Sequence, residues 1–334
     1  MLDRELGQMS AVPFGKASPS TVFFSYKSED AALARFIAEQ MAARGRSVWF
    51  DEYCIALTSW DSDFEAPLRA GIASAASAVF FTNSKWAISS WCTDIEAKPL
   101  LERLPKSACL EVRIPYEPGP HTAVPKLALV KSIEVRKSER WTILGEVCEA
   151  FGLNLEIRPR TRLEKRPLRG KINGVNYELN IQGWEVRGRG LNVLGGDFAL
   201  PPLSRKEDGV ALYANIVVGK RGWERKELNA IDNREVFQNL RLLASSYFER
   251  APLTGKCVGV HLVWHDGMSH GAFTYWAKNS WGRKYEIVLP AKDGGADVTF
   301  VFTCAAYGDF ATFSRHAWLF DDLVTSLKYG TEWD

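Results

Sequence analysis

The chain has 334 residues, and at about 150 residues per domain this length favours two domains over one. Apolar residues make up 46%, aromatic residues 12% and charged residues 25%, a balance that excludes a mainly disordered, collagen-like or coiled-coil chain. No stretch approaches the roughly 20 apolar residues of a membrane-spanning helix, and residues 1–17 lack the apolar run of a secretion signal. We therefore expect a flexible leader over residues 1–17, a cytoplasmic location and no membrane partner.

Cysteine spacing and charge exclude further classes. The six cysteines form no Cys-x-x-Cys pair, which argues against a disulfide scaffold and against a thiolate zinc site. The net charge is +2, with 17 basic and 19 acidic residues up to position 153, and 25 basic and 21 acidic residues after it. This excess in the second part is too small to predict general nucleic-acid binding, which stays an alternative there.

Short apolar runs alternate with helical patterns in the first half of the chain. Five strands are predicted, at residues 21–25, 47–51, 78–81, 109–115 and 129–135. Helices fill the intervals, and a last helix is predicted at residues 141–151. This alternation predicts a parallel sheet with helices on both faces and right-handed crossovers. Because such sheets bind ligands at the carboxyl ends of their strands, the functional edge should include residues 25–28, 51–60 and 83–96.

Four short motifs stand at the expected places on these elements. They are Phe23-Phe24-Ser25-Tyr26 with Glu29-Asp30, then Val48-Trp49-Phe50-Asp51, Ala70-Gly71-Ile72 and Ser89-Ser90-Trp91-Cys92. In order and spacing they resemble the boxes of a Toll/interleukin-1 receptor (TIR) domain, over residues 18–153. The resemblance implies a flavodoxin-like α/β fold and one of two roles: an enzyme that cleaves NAD, or an adaptor that signals only by assembly of TIR domains.

The position of the catalytic glutamate is where this sequence departs from the family pattern. NAD-cleaving members carry a glutamate four residues after the tryptophan of the last motif, and here that position is Ile95. Family helices place leucine-like residues one, four and five positions after the glutamate. Counted from Glu96, these positions are Ala97 and two leucines, so one extra residue before Glu96 restores the pattern. Pro99 cannot donate a backbone hydrogen bond to Ile95, which favours an irregular helix start. The resemblance thus assigns the catalytic role to Glu96.

Other interpretations of this motif stay open. Thr93-Asp94-Ile95-Glu96 is also a capping-box sequence, in which Glu96 would only bond the Thr93 amide. Asp94 is a first-turn acid favoured by the helix dipole, and it is the other candidate for the catalytic carboxylate. Trp91 fits a core position as well as the wall of a ligand site.

The expected chemistry needs one carboxylate. Cleavage of the bond between nicotinamide and ribose develops oxocarbenium character on the sugar, and nicotinamide leaves without a general acid. An ionised carboxylate near a helix N-terminus stabilises that charge. The resemblance thus implies NAD as the substrate and linear or cyclic ADP-ribose as the product, and we expect neither a resident cofactor nor a metal.

The resemblance also places side chains around the substrate. The predicted substrate-binding residues are Ser25, Tyr26, Lys27, Trp60, Trp91 and Asp94. Lys27 is either a phosphate partner or a solvated surface lysine. In the family, the loop that corresponds to residues 52–63 reaches a neighbouring TIR domain and completes the site, which predicts a homo-oligomer. Trp60 in this loop is either a contact residue or packs the loop onto its own domain.

The second half has a different pattern. Residues 154–174 hold seven basic and two acidic side chains with two prolines, and are predicted to form a basic linker. Alternating apolar residues predict strands at residues 175–181, 191–194, 211–218, 257–264, 272–276, 285–290 and 298–303. Helical periodicity is limited to residues 235–248 and 317–327. We therefore predict a β-rich domain over residues 175–334, of α+β or sandwich-like type, which resembles no family known to us.

Two local patterns in this domain each have a functional interpretation and a structural one. Gly195-Gly196-Asp197-Phe198 is similar to a nucleotide-cyclase fragment, but it lacks the rest of that motif and is interpreted as a turn. His261, His265 and His270 with Asp266 suggest a metal site, because His261 and His265 share a strand face. Without a second ligand cluster, a strand that ends in an Asp-Gly turn is the preferred interpretation.

A candidate catalytic domain joined to a β-rich domain without a catalytic motif suggests an effector joined to a sensor. The build resembles bacterial TIR immune effectors that deplete NAD when triggered. We therefore predict an NAD+ hydrolase activated by oligomerisation, with a role in antiviral immunity, whose trigger or partner acts on residues 175–334. The alternative is a non-enzymatic TIR scaffold, which Ile95 in the usual glutamate position favours.

Overall fold

The structure is a computed structural model that divides the chain into two compact units, Met1–Pro159 and Arg160–Asp334. It describes residues 14, 20–55, 65–114, 127, 129, 131–135, 140–155, 166–172, 175–192, 198–219, 256–265, 268–277, 280–289 and 298–330. In these ranges, no helix combines the length and the apolar character needed to cross a membrane.

The first unit is built on a five-stranded parallel sheet, which confirms the predicted fold class. The strands are β1 Val22–Ser25, β2 Val48–Trp49, β3 Ser77–Thr82, β4 Cys109–Arg113 and β5 Lys131–Glu134. They lie in the order β2-β1-β3-β4-β5, and every neighbouring pair is parallel. This is the flavodoxin-like order, in which the strand sequence reverses between β1 and β3 and leaves a crevice at their carboxyl ends.

Helices cover this sheet. They are α1 Ala31–Ala42, α2 Asp51–Cys54, α3 Glu65–Ser74, α4 Ser84–Ala87, a π-helix Trp91–Ala97, α5 Lys98–Arg103 and α6 Arg140–Ala150, with short 3-10 helices at Ser28–Asp30 and Lys106–Ala108. Every residue of β1 and β3 is buried, which explains why both strands read as continuous apolar runs.

Close packing against Trp49 explains the glycine of the motif Ala70-Gly71-Ile72. A Cβ atom on Gly71 in α3 would lie 2.2 Å from Nε1 of Trp49, closer than any side chain allows. Trp49 in turn stacks on Phe23 of β1, with 4.6 Å between the ring centroids. The glycine therefore lets α3 lie directly on the indole ring.

A buried ion pair fixes the chain after β2. Nη1 of Arg35 in α1 donates to both carboxylate oxygens of Glu52 in α2, at 3.1 and 2.9 Å, and the two side chains are 1% and 0% exposed. The Tyr53 hydroxyl also donates to Glu39 of α1, at 2.6 Å. These contacts hold α2 against α1.

Phe14 lies within the predicted leader of residues 1–17. This residue is buried, forms a parallel bridge with Val48 and stacks on Tyr53 with 4.2 Å between ring centroids. The apolar run Ala11–Phe14 is too short to show a helical or strand period, so this contact could not be predicted from the pattern.

The second unit is strand-rich, as predicted. Its strands are β6 Pro167–Ile172, β7 Val175–Asn180, β8 Glu185–Val186, β9 Leu191–Asn192, β10 Phe198–Ala199, β11 Leu203–Glu207, β12 Val210–Gly219, β13 Lys256–His265, β14 Met268–Ala277, β15 Ser280–Leu289, β16 Val298–Tyr307 and β17 Lys328–Tyr329. One sheet has the order β13-β14-β15-β16-β12-β10-β9, with β11 joining β12 to β8. A second sheet has the order β17-β7-β6. The pairings are antiparallel throughout.

The predicted basic linker of residues 154–174 includes β6, which pairs antiparallel with β7. The apolar alternation of β6 is interrupted at Gly170, where a Cβ atom would lie 2.4 Å from the Tyr177 hydroxyl. The Tyr177 ring occupies the missing side chain's space, so the strand keeps a covered face that its own sequence does not show.

Helix α7, Phe310–Thr325, packs against β15 and β16 and begins seven residues before the predicted helix. Asp309 caps it by accepting from the Thr312 amide at 2.8 Å. Beneath the helix, Arg283 is fully buried and donates to Asp321 at 3.2 Å, and the Tyr285 hydroxyl donates to the same carboxylate at 2.6 Å. The predicted helix at residues 235–248 and the Gly195–Asp197 turn lie outside the described residues.

The three histidines of the suggested metal site, His261, His265 and His270, have separate partners. His261 Nε2 lies 2.7 Å from Thr274 Oγ1, and His265 Nε2 lies 2.6 Å from the Leu327 carbonyl oxygen. His270 Nδ1 accepts from the Val288 amide at 3.3 Å. Within the described ranges no group of three or more His, Cys, Asp or Glu side chains is arranged to hold a metal ion, and Asp266 lies outside those ranges.

Candidate functional site

The π-helix determines where Glu96 lies. Its last turn closes through the Lys98 amide, which donates to the carbonyl of Thr93, five residues earlier. Such a turn holds one residue more than an α-helical turn, and π-turns are frequent at functional sites. Pro99 follows directly and has no N–H to form the competing α-helical bond to Ile95. The structure therefore contains the extra residue that the leucine pattern indicates.

Glu96 points into the first unit. Its side chain is 8% exposed, and its Oε2 accepts a hydrogen bond from Ser25 Oγ at 2.6 Å. The Trp91 side chain also hydrogen-bonds it. The Thr93 amide donates instead to the Ser89 carbonyl at 2.9 Å, so the capping-box interpretation of Glu96 is wrong.

Burial dominates the electrostatics of this carboxyl group. Loss of hydration raises the pKa of Glu96 to about 8, and the negative charge of Asp51 acts in the same direction. The hydrogen bonds from Ser25 and Trp91 and the positive charge of Lys27 act against the rise. The neutral form of Glu96 therefore predominates at pH 7 in this unit.

Ser25 connects Glu96 to a tryptophan. Its Oγ accepts from the indole Nε1 of Trp86 at 3.1 Å. Trp86 is 2% exposed, and its backbone amide donates to Asn83 Oδ1, which caps α4, at 2.7 Å. Ser25 thus accepts one hydrogen bond from Trp86 and donates its own hydroxyl proton to Glu96.

Tyr26 and Asp51 form a second polar contact at the same edge. The Tyr26 hydroxyl donates to Asp51 Oδ1, and its ring stacks on Phe50 with 4.9 Å between centroids. Burial raises the pKa of Asp51, and burial followed by the charge of Asp51 raises that of Tyr26. The negative charge of Asp51 also raises the pKa of Glu96, so this contact affects the ionisation of the Glu96 carboxyl group.

Lys27 and Cys92 complete the edge. The positive charge of Lys27 lowers the pKa of both Glu96 and Cys92. Burial nonetheless raises the pKa of Cys92 to about 12, so this thiol is not ionised at neutral pH and is no candidate nucleophile.

Two further predicted site residues, Asp94 and Trp60, are not among the contacts of Glu96 described above. Asp94 is exposed on the π-helix and has no hydrogen bond to Ser25 or Glu96 in the described part of the chain. Trp60 lies outside the described residues. Sequence reasoning did not single out Asp51 or Trp86, although both fall in the ranges predicted for the functional edge.

Comparison with known proteins identifies the first unit. Residues 22–143 match the family model of the TIR domain, and no family model matches the second unit. No curated protein matches the chain. Among solved structures, the chain is similar to a metazoan TIR-STING receptor from C. gigas in complex with 2',3'-cGAMP, at 12% identity and a TM-score of 0.31, over 69% of this chain and 86% of that one. It is also similar to LpqN of Mycobacterium tuberculosis, which is involved in cell envelope biogenesis, at 14% identity and a TM-score of 0.25, over 51% and 93%.

Proposed function

We propose that the TIR domain of residues 22–143 hydrolyses NAD+ at the bond between nicotinamide and ribose. The observation that carries this proposal is the burial of Glu96 at the carboxyl edge of the sheet, hydrogen-bonded by Ser25 and Trp91. This position supports Glu96 as the carboxyl group of the proposed site although Ile95 occupies the usual position. Burial of an ionisable carboxyl group costs folding free energy, and such buried groups with a shifted pKa occur often at functional sites.

The site suits a reaction that needs charge stabilisation. As the bond breaks, positive charge develops on the ribose, and an ionised Glu96 stabilises it while accepting hydrogen bonds from the ribose hydroxyls. The nicotinamide ring of NAD+ is itself cationic, so its arrival lowers the pKa of Glu96 and favours the ionised form. Lys27 at the same edge pairs with the substrate's phosphates. Water, or the adenine end of the substrate, then captures the sugar.

Two neighbouring carboxyl groups provide the test. We expect Glu96→Gln, which keeps the shape but not the charge, to abolish NAD+ loss and nicotinamide release, measured by chromatography. Asp94→Asn, on the exposed side of the same helix, tests the other candidate for the catalytic carboxylate and should lower the rate less than Glu96→Gln does. Full activity in Glu96→Gln would refute the assignment, and loss of activity in Asp94→Asn alone would transfer the role to Asp94.

Activation is proposed to require assembly. The loop of residues 52–63 would complete the site of a neighbouring copy, and its first residue, Glu52, forms the buried ion pair with Arg35. Residues 175–334 would keep the TIR domains misaligned until a trigger binds the assembled state more tightly. A shift from about 1% to 99% active needs roughly 5.5 kcal/mol of differential binding.

The assembly proposal predicts activity that rises steeply with protein or trigger concentration. We expect Trp60→Ala to lower the rate without unfolding the chain, checked by circular dichroism. Mass measurement during turnover is the decisive experiment, because full activity from a strictly monomeric species would contradict both the shared site and the gating role of the second unit.

In this proposal the protein is a cytoplasmic effector of antiviral immunity. The trigger on residues 175–334 is a nucleotide messenger, a phage protein, a nucleic acid or a partner subunit. The second candidate is a scaffold that acts only through TIR assembly, which Ile95 and the predominantly neutral Glu96 favour. NAD+ consumption by any assembled form, assayed with a panel of candidate triggers, separates the two.

A further inference from the structure

Trp86 is connected to Glu96 through Ser25 by a row of two hydrogen bonds. The Trp86 indole donates to Ser25 Oγ over 3.1 Å, and the Ser25 hydroxyl donates to Glu96 Oε2 over 2.6 Å. The three residues are 2%, 0% and 8% exposed, so water does not compete strongly for either hydrogen bond. The row runs from the helix after β3, through the end of β1, to the π-helix.

The chemistry of the groups gives this row a direction. An indole nitrogen is a donor only, whereas a serine hydroxyl offers one proton and two acceptor positions. Trp86 therefore fills one acceptor position of Ser25 and leaves the hydroxyl proton for Glu96. Donors that end on a carboxyl group favour its ionised form, and each hydrogen bond in such a row polarises the next.

Trp86 is itself held in place on two sides. Its backbone amide is bound by the Asn83 cap at 2.7 Å, and its ring meets Phe80 of β3 edge to face, with 6.2 Å between centroids. Phe80 is fully buried in the sheet. The indole N–H is thus presented to Ser25 from a rigid part of the core, which is what a positioning group requires.

We propose that Trp86 is a positioning residue that fixes the Ser25 hydroxyl on Glu96 and thereby favours the ionised form of Glu96, which NAD+ cleavage uses. The catalytic part of this inference rests on the proposed function. The effect of Trp86 on the ionisation of Glu96 does not, and it is measurable without substrate.

The test compares two tryptophans in the full-length protein. Trp86→Phe removes the N–H and keeps an aromatic ring. Trp318→Phe is the matched control, because the Trp318 indole also donates over 3.1 Å, but to the Arg315 carbonyl in the second unit. The carboxyl titration of Glu96 is followed by infrared difference spectroscopy, with Glu96→Gln identifying its band, and NAD+ cleavage is measured from pH 5 to pH 9.

We expect Trp86→Phe to raise the pKa of Glu96 and to move the acid limb of the pH–rate profile upward. The rate at pH 7 should fall about three- to tenfold and recover at higher pH, as for the loss of one hydrogen bond that acts through another. A purely structural defect lowers the rate equally at all pH values and leaves the titration unchanged. That outcome, or an equal effect of Trp318→Phe, would overturn the proposal.

A double-mutant cycle tests the route through Ser25. In a Ser25→Ala background, Trp86→Phe should cause no further change in the Glu96 titration, whereas additive effects would contradict the route. If Trp86→Phe does not fold, benzothienylalanine at position 86 keeps the bicyclic ring and lacks the N–H. A shifted titration in a protein that never consumes NAD+ would support the positioning role and refute the proposed function.

Discussion

The buried carboxyl group of Glu96 should make the first unit less stable as the pH rises. In the unfolded chain this group ionises near its ordinary pKa of 4.5, whereas burial raises the pKa to about 8 in the fold. Between these pH values the unfolded chain has lost a proton that the folded chain keeps. The free energy of unfolding therefore falls with increasing pH, by up to about 1.36 kcal/mol per pH unit, and levels off above pH 8.

Glu96→Gln removes this dependence because the amide is neutral at every pH. The carboxyl group costs the folded state less than about 1 kcal/mol at pH 5 and up to about 4 kcal/mol at pH 8. We therefore expect Glu96→Gln to unfold like the wild type at pH 5 and to be more stable by about 2–4 kcal/mol at pH 8. The variant that abolishes the proposed activity should thus be the more stable protein.

The assay is urea unfolding of the full chain at pH 5, 6, 7 and 8, and the relevant transition is the one that the substitution moves. An equal difference between wild type and Glu96→Gln at all four pH values would refute the assignment of a high pKa to Glu96.

Two further predictions concern other buried charges. Arg35→Met removes the guanidinium that pairs with Glu52 and should lower the free energy of unfolding by about 3–5 kcal/mol, measured with urea; exchanging both residues for apolar ones should cost less. In the second unit, burial lowers the pKa of His270 to about 4, so only the unfolded chain gains the proton between about pH 6.5 and pH 4. Stability should fall by up to about 3 kcal/mol as the pH drops through this range, and His270→Asn should remove that part of the fall.

The fold of the first unit was predictable because both faces of its sheet are covered. Strands buried on two sides, such as β1 and β3, must be apolar at nearly every position, and this distinguishes them from the amphipathic helices between them. The same rule placed Ser25, Tyr26 and Asp51 at one edge, since the carboxyl ends of parallel strands meet there.

The role of Trp86 and the strand β6 could not be predicted, because each depends on a neighbour. The indole of Trp86 matters through its orientation toward Ser25, and no spacing encodes that orientation. In β6, Gly170 interrupts the apolar alternation, and only the Tyr177 ring from the next strand restores a covered face. The predicted Trp60 contact and the trigger remain predictions.

The π-helix has a consequence for how proteins of this kind are sorted. Insertion of one residue into an α-helix rotates everything after it by about 100°, which would turn the following core residues away from the sheet. Here Ala97 and Leu100 stay buried, at 3% and 0% exposure, because the wider turn absorbs the insertion locally. A search that demands a glutamate exactly four residues after the tryptophan rejects this chain as non-catalytic. Chains with a glutamate five residues after the tryptophan and a proline three residues further on should therefore be assayed rather than classed as scaffolds.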